Sequence, residues 1–273
     1  MLDITLTGNA MQMAVLSLRP GQVVYSEAGK FLFSSGDVVM ETKMSQPSGG
    51  QQPGGSAGGM GGSGALGGLL RGAMDAGKRM MAGESFAFCH FHTPGGDGLL
   101  ALAGVLPGEM RVLELDGHTT WFAEKDAFVA AEGGVIFDIA FSGLRQGFSG
   151  GEGFVLEKFT GSGSLIIAGA GNFIDVNPAD YGGRLKVDTG CVVAWDQNIS
   201  YGIERVGALN RQGVMNAMFG GEGMSLASLT GNGRVILQSM SIDGLAGALA
   251  KNDATRDKTT GGGLGGLLSG SRD

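Results

Sequence analysis

The chain has 273 residues, of which 42% are hydrophobic, 16% are charged and 54 are glycine; the apolar content suffices for a sizeable core, and the glycine lies far above the roughly 7% of ordinary proteins. The 19 basic against 26 acidic residues give a formal charge of −7, which argues against nucleic acid as a partner, because no cationic excess is available to displace counterions from a phosphate backbone. The opening Met1-Leu2-Asp3-Ile4-Thr5 carries an early acid and no apolar core of signal-peptide length, and apolar runs such as Leu99 to Leu106 fall short of the ~20 residues that span a bilayer. A soluble, cytoplasmic protein is expected.

Taken in chain order, the first strand-like runs are Phe31-Leu32-Phe33 and Val38-Val39-Met40, separated by the polar link Ser34-Ser35-Gly36-Asp37. Ser45 to Gly64 is rich in glycine, glutamine, serine and proline and reads as a flexible insertion. From Ala65 to Ala82, apolar Leu66, Leu69, Leu70, Ala73, Met74, Met80 and Met81 recur at three- and four-residue intervals, with Arg71, Asp75, Lys78 and Arg79 opposite. That pattern predicts an amphipathic helix, capped by Ser63 and ended at Gly83. Its apolar face is expected to pack on the β-body, the alternative being a membrane surface or a partner protein.

Gly83-Glu84-Ser85-Phe86 then opens a motif that returns as Gly151-Glu152-Gly153-Phe154 and as Gly221-Glu222-Gly223-Met224. Each copy leads through an apolar residue (Phe91, Phe159 or Leu229) into a glycine-rich link and a further apolar run. Thr160-Gly161-Ser162-Gly163 aligns with Thr230-Gly231-Asn232-Gly233 without a gap. Glycine links of this kind between apolar runs are expected to form hairpin turns. Upstream of the second and third copies lie further run pairs, Phe128-Val129-Ala130 with Val135-Ile136-Phe137, and Cys191-Val192-Val193 with Ile199-Ser200-Tyr201. Repeats that cannot bury an apolar face alone do so against their siblings. The expectation is therefore all-β: three pseudo-repeats in a pseudo-threefold double-stranded β-helix or sandwich-like body over 1–240, with one or two short appended helices. Asp243 to Ala250 reads as a short capped helix, and 241–273 as that helix followed by a glycine-rich tail.

Candidate chemistry is sparse. Glu84, Glu152 and Glu222 recur and would bind a hard cation if a threefold arrangement made them converge; backbone capping between turn glycines is the plainer role. His90-Phe91-His92 sets both imidazoles on one strand face, as cupin-type metal sites do, but Asp97 falls in a glycine turn, His118 follows the wrong segment, and the other copies offer Glu157-Lys158 and Leu226-Ala227-Ser228. Cys89 and Cys191 lie in predicted strands without Cys-x-x-Cys spacing and read as buried thiols. Gly59 to Gly64 matches a nucleotide-loop pattern outside any strand–helix context, and Gly161-Ser162-Gly163 is no nucleophile elbow, since its counterpart is Asn232. No catalytic residue, cofactor or metal is assigned.

Several blocks carry a family resemblance: Leu18-Arg19-Pro20-Gly21-Gln22 through Ala28-Gly29, Gly67-Gly68-Leu69-Leu70-Arg71 leading into Gly83-Glu84-Ser85-Phe86, Leu106-Pro107-Gly108, Phe148 to Phe154, and Val187-Asp188-Thr189-Gly190. From about Leu18 to about Gln238 the chain resembles the altered inheritance of mitochondria protein 24 family, in its prokaryotic form. The resemblance implies a fold like that of the tryptophan RNA-binding attenuation protein and no catalytic residues; in mitochondria the family is tied to membrane organisation. The Gln46 to Gly64 insertion and the tail from Lys251 depart from it. The expected function is a non-enzymatic binding or scaffold protein, self-associating as a homo-oligomer. The alternatives are a membrane-associated organisation or stress protein using the 65–82 helix, and a cupin-like metal enzyme using His90 and His92.

Overall fold

The computed structural model describes residues 2–44, 46–47, 87–141, 155–205 and 225–249. The predicted insertion 45–64 falls almost wholly outside these residues. So do the predicted helix 65–82, the three Gly-Glu motifs and the tail from 251. The described chain is all-β, with eighteen strands, two short 3-10 turns at Pro178–Tyr181 and Thr189–Cys191, and a helix at residues 242–249. Ser241 caps that helix, its Oγ accepting from Gly244 N at 3.2 Å.

The strands pair as three bent ribbons. In the first, β6 (Phe88–His92) and β7 (Gly98–Ala103) form the middle strand; β3 (Val23–Glu27) and β5 (Val39–Lys43) flank β6, while β2 (Met13–Leu18) and β4 (Phe31–Gly36) flank β7. In the second, the single strand β12 (Val155–Ala168) is the middle; β9 (Trp121–Glu124) and β11 (Val135–Phe141) flank its first half, β8 (Met110–Asp116) and β10 (Phe128–Glu132) its second. In the third, β17 (Ser225–Gly231) lies between β14 (Arg184–Asp188) and β16 (Ile199–Arg205), and β18 (Val235–Gln238) between β13 (Phe173–Val176) and β15 (Val192–Asp196). An extra strand, β1 (Asp3–Thr7), borders β2. Every pairing between these strands is antiparallel among the described residues.

This corrects the hairpins expected at the glycine links. Thr160 to Gly163 lies inside β12, and β17 and β18, on either side of Gly231-Asn232-Gly233, pair with other strands and not with each other. The links are corners at which the middle strand leaves one sheet and enters the next. Gly161 and Gly231 have φ of +91° and +131°, and a Cβ there would collide with the carbonyl oxygens of Gly134 and Asn198. Only glycine fits such a corner.

Two pairings join the ribbons. β3 of the first pairs with β10 of the second, and β9 of the second with β15 of the third. Near the ribbon starts, Met11 bridges Gly108 and Gly108 bridges Gly171 in parallel, with Gln12 N and Glu109 N donating to the Gly108 and Gly171 carbonyls at 3.1 and 3.0 Å. A side chain on Gly108 would strike the Gly169 carbonyl, so glycine is what lets these backbones meet.

Apolar residues from neighbouring ribbons close the core. Tyr25 and Phe88 of the first ribbon pack with Phe128, Phe137 and Phe159 of the second, at centroid separations of 5.3 to 6.4 Å. In the same cluster lie Val193, Ala194 and Ile236 of the third. A second aromatic group, Phe122, Trp195 and Tyr201, stacks where the second and third ribbons meet, with centroids 6.0 and 4.5 Å apart.

Candidate functional site

The two histidines do occupy one face of β6, with Phe88, but their environments differ. His90 is buried and its ring lies 6.3 Å from Tyr25; His92 is half-buried. Glu41, directly across from His90 on β5, is held below the usual carboxylate range, chiefly by its hydrogen bond and ion pair with Lys43, the histidines adding smaller contributions. Asp97 lies in the loop after His92, where it is the Asp37 carboxylate that accepts from Gly95 N and Gly96 N, both at 2.8 Å. Among the described residues no group of three or more His, Cys, Asp or Glu side chains is placed to hold a metal ion. Cys89 and Cys191 are free thiols, half-buried rather than fully buried; burial, then the Asp188 charge, pushes the Cys191 thiol above its ordinary value. Glu84, Glu152 and Glu222 lie outside the described residues.

The residues that come together are others. A cavity of about 330 Å³ opens where the three ribbons meet, at the lower end of the range for small-molecule sites. The first ribbon and its exit supply Lys30, Val105 and Leu106; the second supplies the turn Glu124 to Ala127 and the end of β12; the third supplies Val192, Val193 and Gln238, with Ile242 of the terminal helix at its rim. Local structure fixes these groups. Asp126 takes φ of +76°, the one non-glycine positive φ among the described residues, in the tight turn closed by Ala127 N donating to Glu124 O at 3.2 Å; a short polar side chain tolerates that conformation best. Gln238 ties the base of the cavity, donating to Gly190 O at 2.8 Å and accepting from Ala170 N at 2.7 Å.

Two ionisable groups there are wholly or partly removed from water. Lys30 is buried, its Nζ 3.1 Å from Glu27, so its charge is compensated within the protein. Glu124 is pushed up to about 8: burial is the main cause and the Asp126 carboxylate adds to it, while the hydrogen bond donated by Tyr201 Oη at 3.2 Å opposes it. At neutral pH Glu124 is therefore predominantly a neutral carboxyl group. The site combines apolar walls, the neutral Glu124, the internally paired Lys30, and the exposed Lys125 and Asp126 of the turn. Sequence reasoning missed it because its residues sit at strand ends of three ribbons; the available signal was the charged break Glu124-Lys125-Asp126 between two apolar runs.

An antiparallel body of bent ribbons meeting around an apolar cavity defines an all-β protein, and among the described residues no helix is long and apolar enough to cross a membrane. Residues 4–240 match the family model described as Mitochondrial biogenesis AIM24, and the chain belongs to that family. An uncharacterized protein of Streptococcus pyogenes serotype M6 is 28% identical over 237 residues, covering 86% of this chain and 84% of its own. The X-ray crystal structure of a Streptococcus pyogenes protein superposes with a TM-score of 0.66 at 24% identity, covering 92% of this chain and all of the other. That likeness is one of fold.

Proposed function

We propose that the protein is a non-enzymatic binding module whose ligand seat is the cavity at the junction of the ribbons. The observation that carries this reading is the convergence of all three ribbons on one apolar space of about 330 Å³ beside the half-buried Glu124, whose carboxyl group is neutral. Such a seat suits a small amphiphile with an apolar body and one hydrogen-bonding group. We further infer that the ribbons are three copies of one unit in a pseudo-threefold arrangement, as in a fold like the tryptophan RNA-binding attenuation protein. Their shared pairing scheme supports this reading, as does the backbone shift at one position of each outer strand, between Phe31 and Phe33, Phe128 and Ala130, and Val192 and Ala194.

Octanoate is a suitable probe for the cavity. It is expected to raise the melting temperature of the wild type, because a ligand that binds only the folded state stabilises it by mass action. Val105→Trp, at an exposed position on the cavity wall, is expected to melt at the wild-type temperature and lose the octanoate shift. An equal shift in both proteins, or none in the wild type, would count against this seat.

A further inference from the structure

We propose that the cavity selects an amphiphile with a carboxylate head, and that Glu124 reads this head by donating a hydrogen bond to it. The inference rests on the reading of the cavity as a ligand seat and adds the chemistry of the head group. Glu124 ends β9, lines the cavity and is half-buried. Tyr201 Oη of β16 donates to its Oε1 at 3.2 Å, and among the described residues no other group hydrogen-bonds this carboxyl. The third ribbon thus occupies one carboxyl oxygen and leaves Oε2 for a ligand.

The charges around the cavity decide what that oxygen carries. Lys30, the cation from the first ribbon, is already held by Glu27 at 3.1 Å, and Asp126 of the same turn is a second acid. Lys125, the other lysine of the lining, is exposed and adjoins Asp126, so the turn adds little net charge. From the third ribbon, Gln238 is engaged by Gly190 O and Ala170 N. Burial, with Asp126 adding to it, therefore keeps the proton on Glu124 up to about 8. Burial, then the Glu124 charge, pushes the Tyr201 hydroxyl above its ordinary value, so it remains a donor while Glu124 titrates. A neutral carboxyl that accepts at Oε1 donates at Oε2, and its strongest partner is an anion, because such a charge-assisted bond is roughly twice as strong as a neutral one. An alkylammonium head has only donors to offer and competes with that proton. The apolar walls, Leu106, Val192 and Val193 among them, take the tail. Once Glu124 ionises, two carboxylates would share the site and repel, so uptake of the ligand is tied to a proton.

The test is calorimetric titration of the full chain with octanoate and with octylammonium. Octanoate is expected to bind at pH 7 and to weaken by at least about tenfold at pH 9.5, as Glu124 loses its proton, while octylammonium gains affinity over the same interval. At pH 8.5, in two buffers of different ionisation enthalpy, the wild type is expected to take up protons with octanoate and to release them with octylammonium. Glu124→Gln, whose amide accepts from Tyr201 and still donates to a carboxylate, is expected to hold octanoate equally at both pH values without proton exchange. Octanoate affinity in the wild type that ignores pH, no proton uptake with it, uptake that persists in Glu124→Gln, or tighter binding of octylammonium than of octanoate at pH 7 would overturn the inference and leave the seat standing. No octanoate binding at pH 7 would remove the seat and the inference together.

Discussion

Glu124 shows how one side chain can couple this fold to pH. Its carboxyl group is pushed up to about 8 in the folded state, against 4.5 for a free glutamate. The folded state thus holds the proton more tightly than the unfolded one. The contribution of this one group to stability is therefore fully present below pH 4.5, is lost as pH rises between 4.5 and 8, and is constant above that. Glu124→Gln keeps a partner for Tyr201 and removes the ionisation. Urea unfolding at a series of pH values should show a flatter profile for the variant in that window, and at pH 8.5 the variant should be more stable by a few kcal/mol; a variant less stable than wild type at pH 8.5 would contradict the assignment. The histidines illustrate the limit of residue-level reading. Alternation on a strand correctly gives His90 and His92 a common face, but the packing of Tyr25 against His90 comes from a neighbouring strand 65 positions earlier in the chain, and no local pattern contains it.

Among the elements, the corners are the most demanding. Gly161 and Gly231 combine a positive φ with a carbonyl where a Cβ would go, so Gly161→Ala and Gly231→Ala should each destabilise the fold by about 1–3 kcal/mol or more. An alanine at Gly182, also at positive φ but with open space around it, should be better tolerated; equal losses by chemical denaturation would remove the collision from the explanation. The sequence marked these positions as breaks between apolar runs, and the runs themselves are strands in the structure. It did not reveal the partners. A glycine link signals a change of direction, while pairing depends on which edge lies alongside, and here β17 turns away from β18 to join another sheet. Phe159, fully buried on β12 between Phe128 and Phe137, is the strongest test of packing at this scale. Phe159→Ala should lower stability by about 3–5 kcal/mol, measured by urea unfolding.

At the scale of the whole molecule, ribbons are added by pairing each one's outer strand with an inner neighbour of the one before, and among the described residues the series stops with one edge of each kind unpaired. The all-β class was legible from the apolar runs and the glycine between them. The cavity and the open edges were not, because both arise from how ribbons meet rather than from any one segment. The helix 65–82 and the recurrent Glu84, Glu152 and Glu222 lie outside the described residues, so the membrane and cation readings attached to them gain nothing from the fold. The most direct measurement of the central claim is amide hydrogen exchange of the full chain with and without octanoate. The account predicts that Lys125 to Ala127 and Ala168 to Ala170 become protected together when octanoate is added, and that Val105→Trp abolishes both changes while β5 stays as before. Exchange at these two segments that is independent of octanoate, or protection of one without the other, would contradict it.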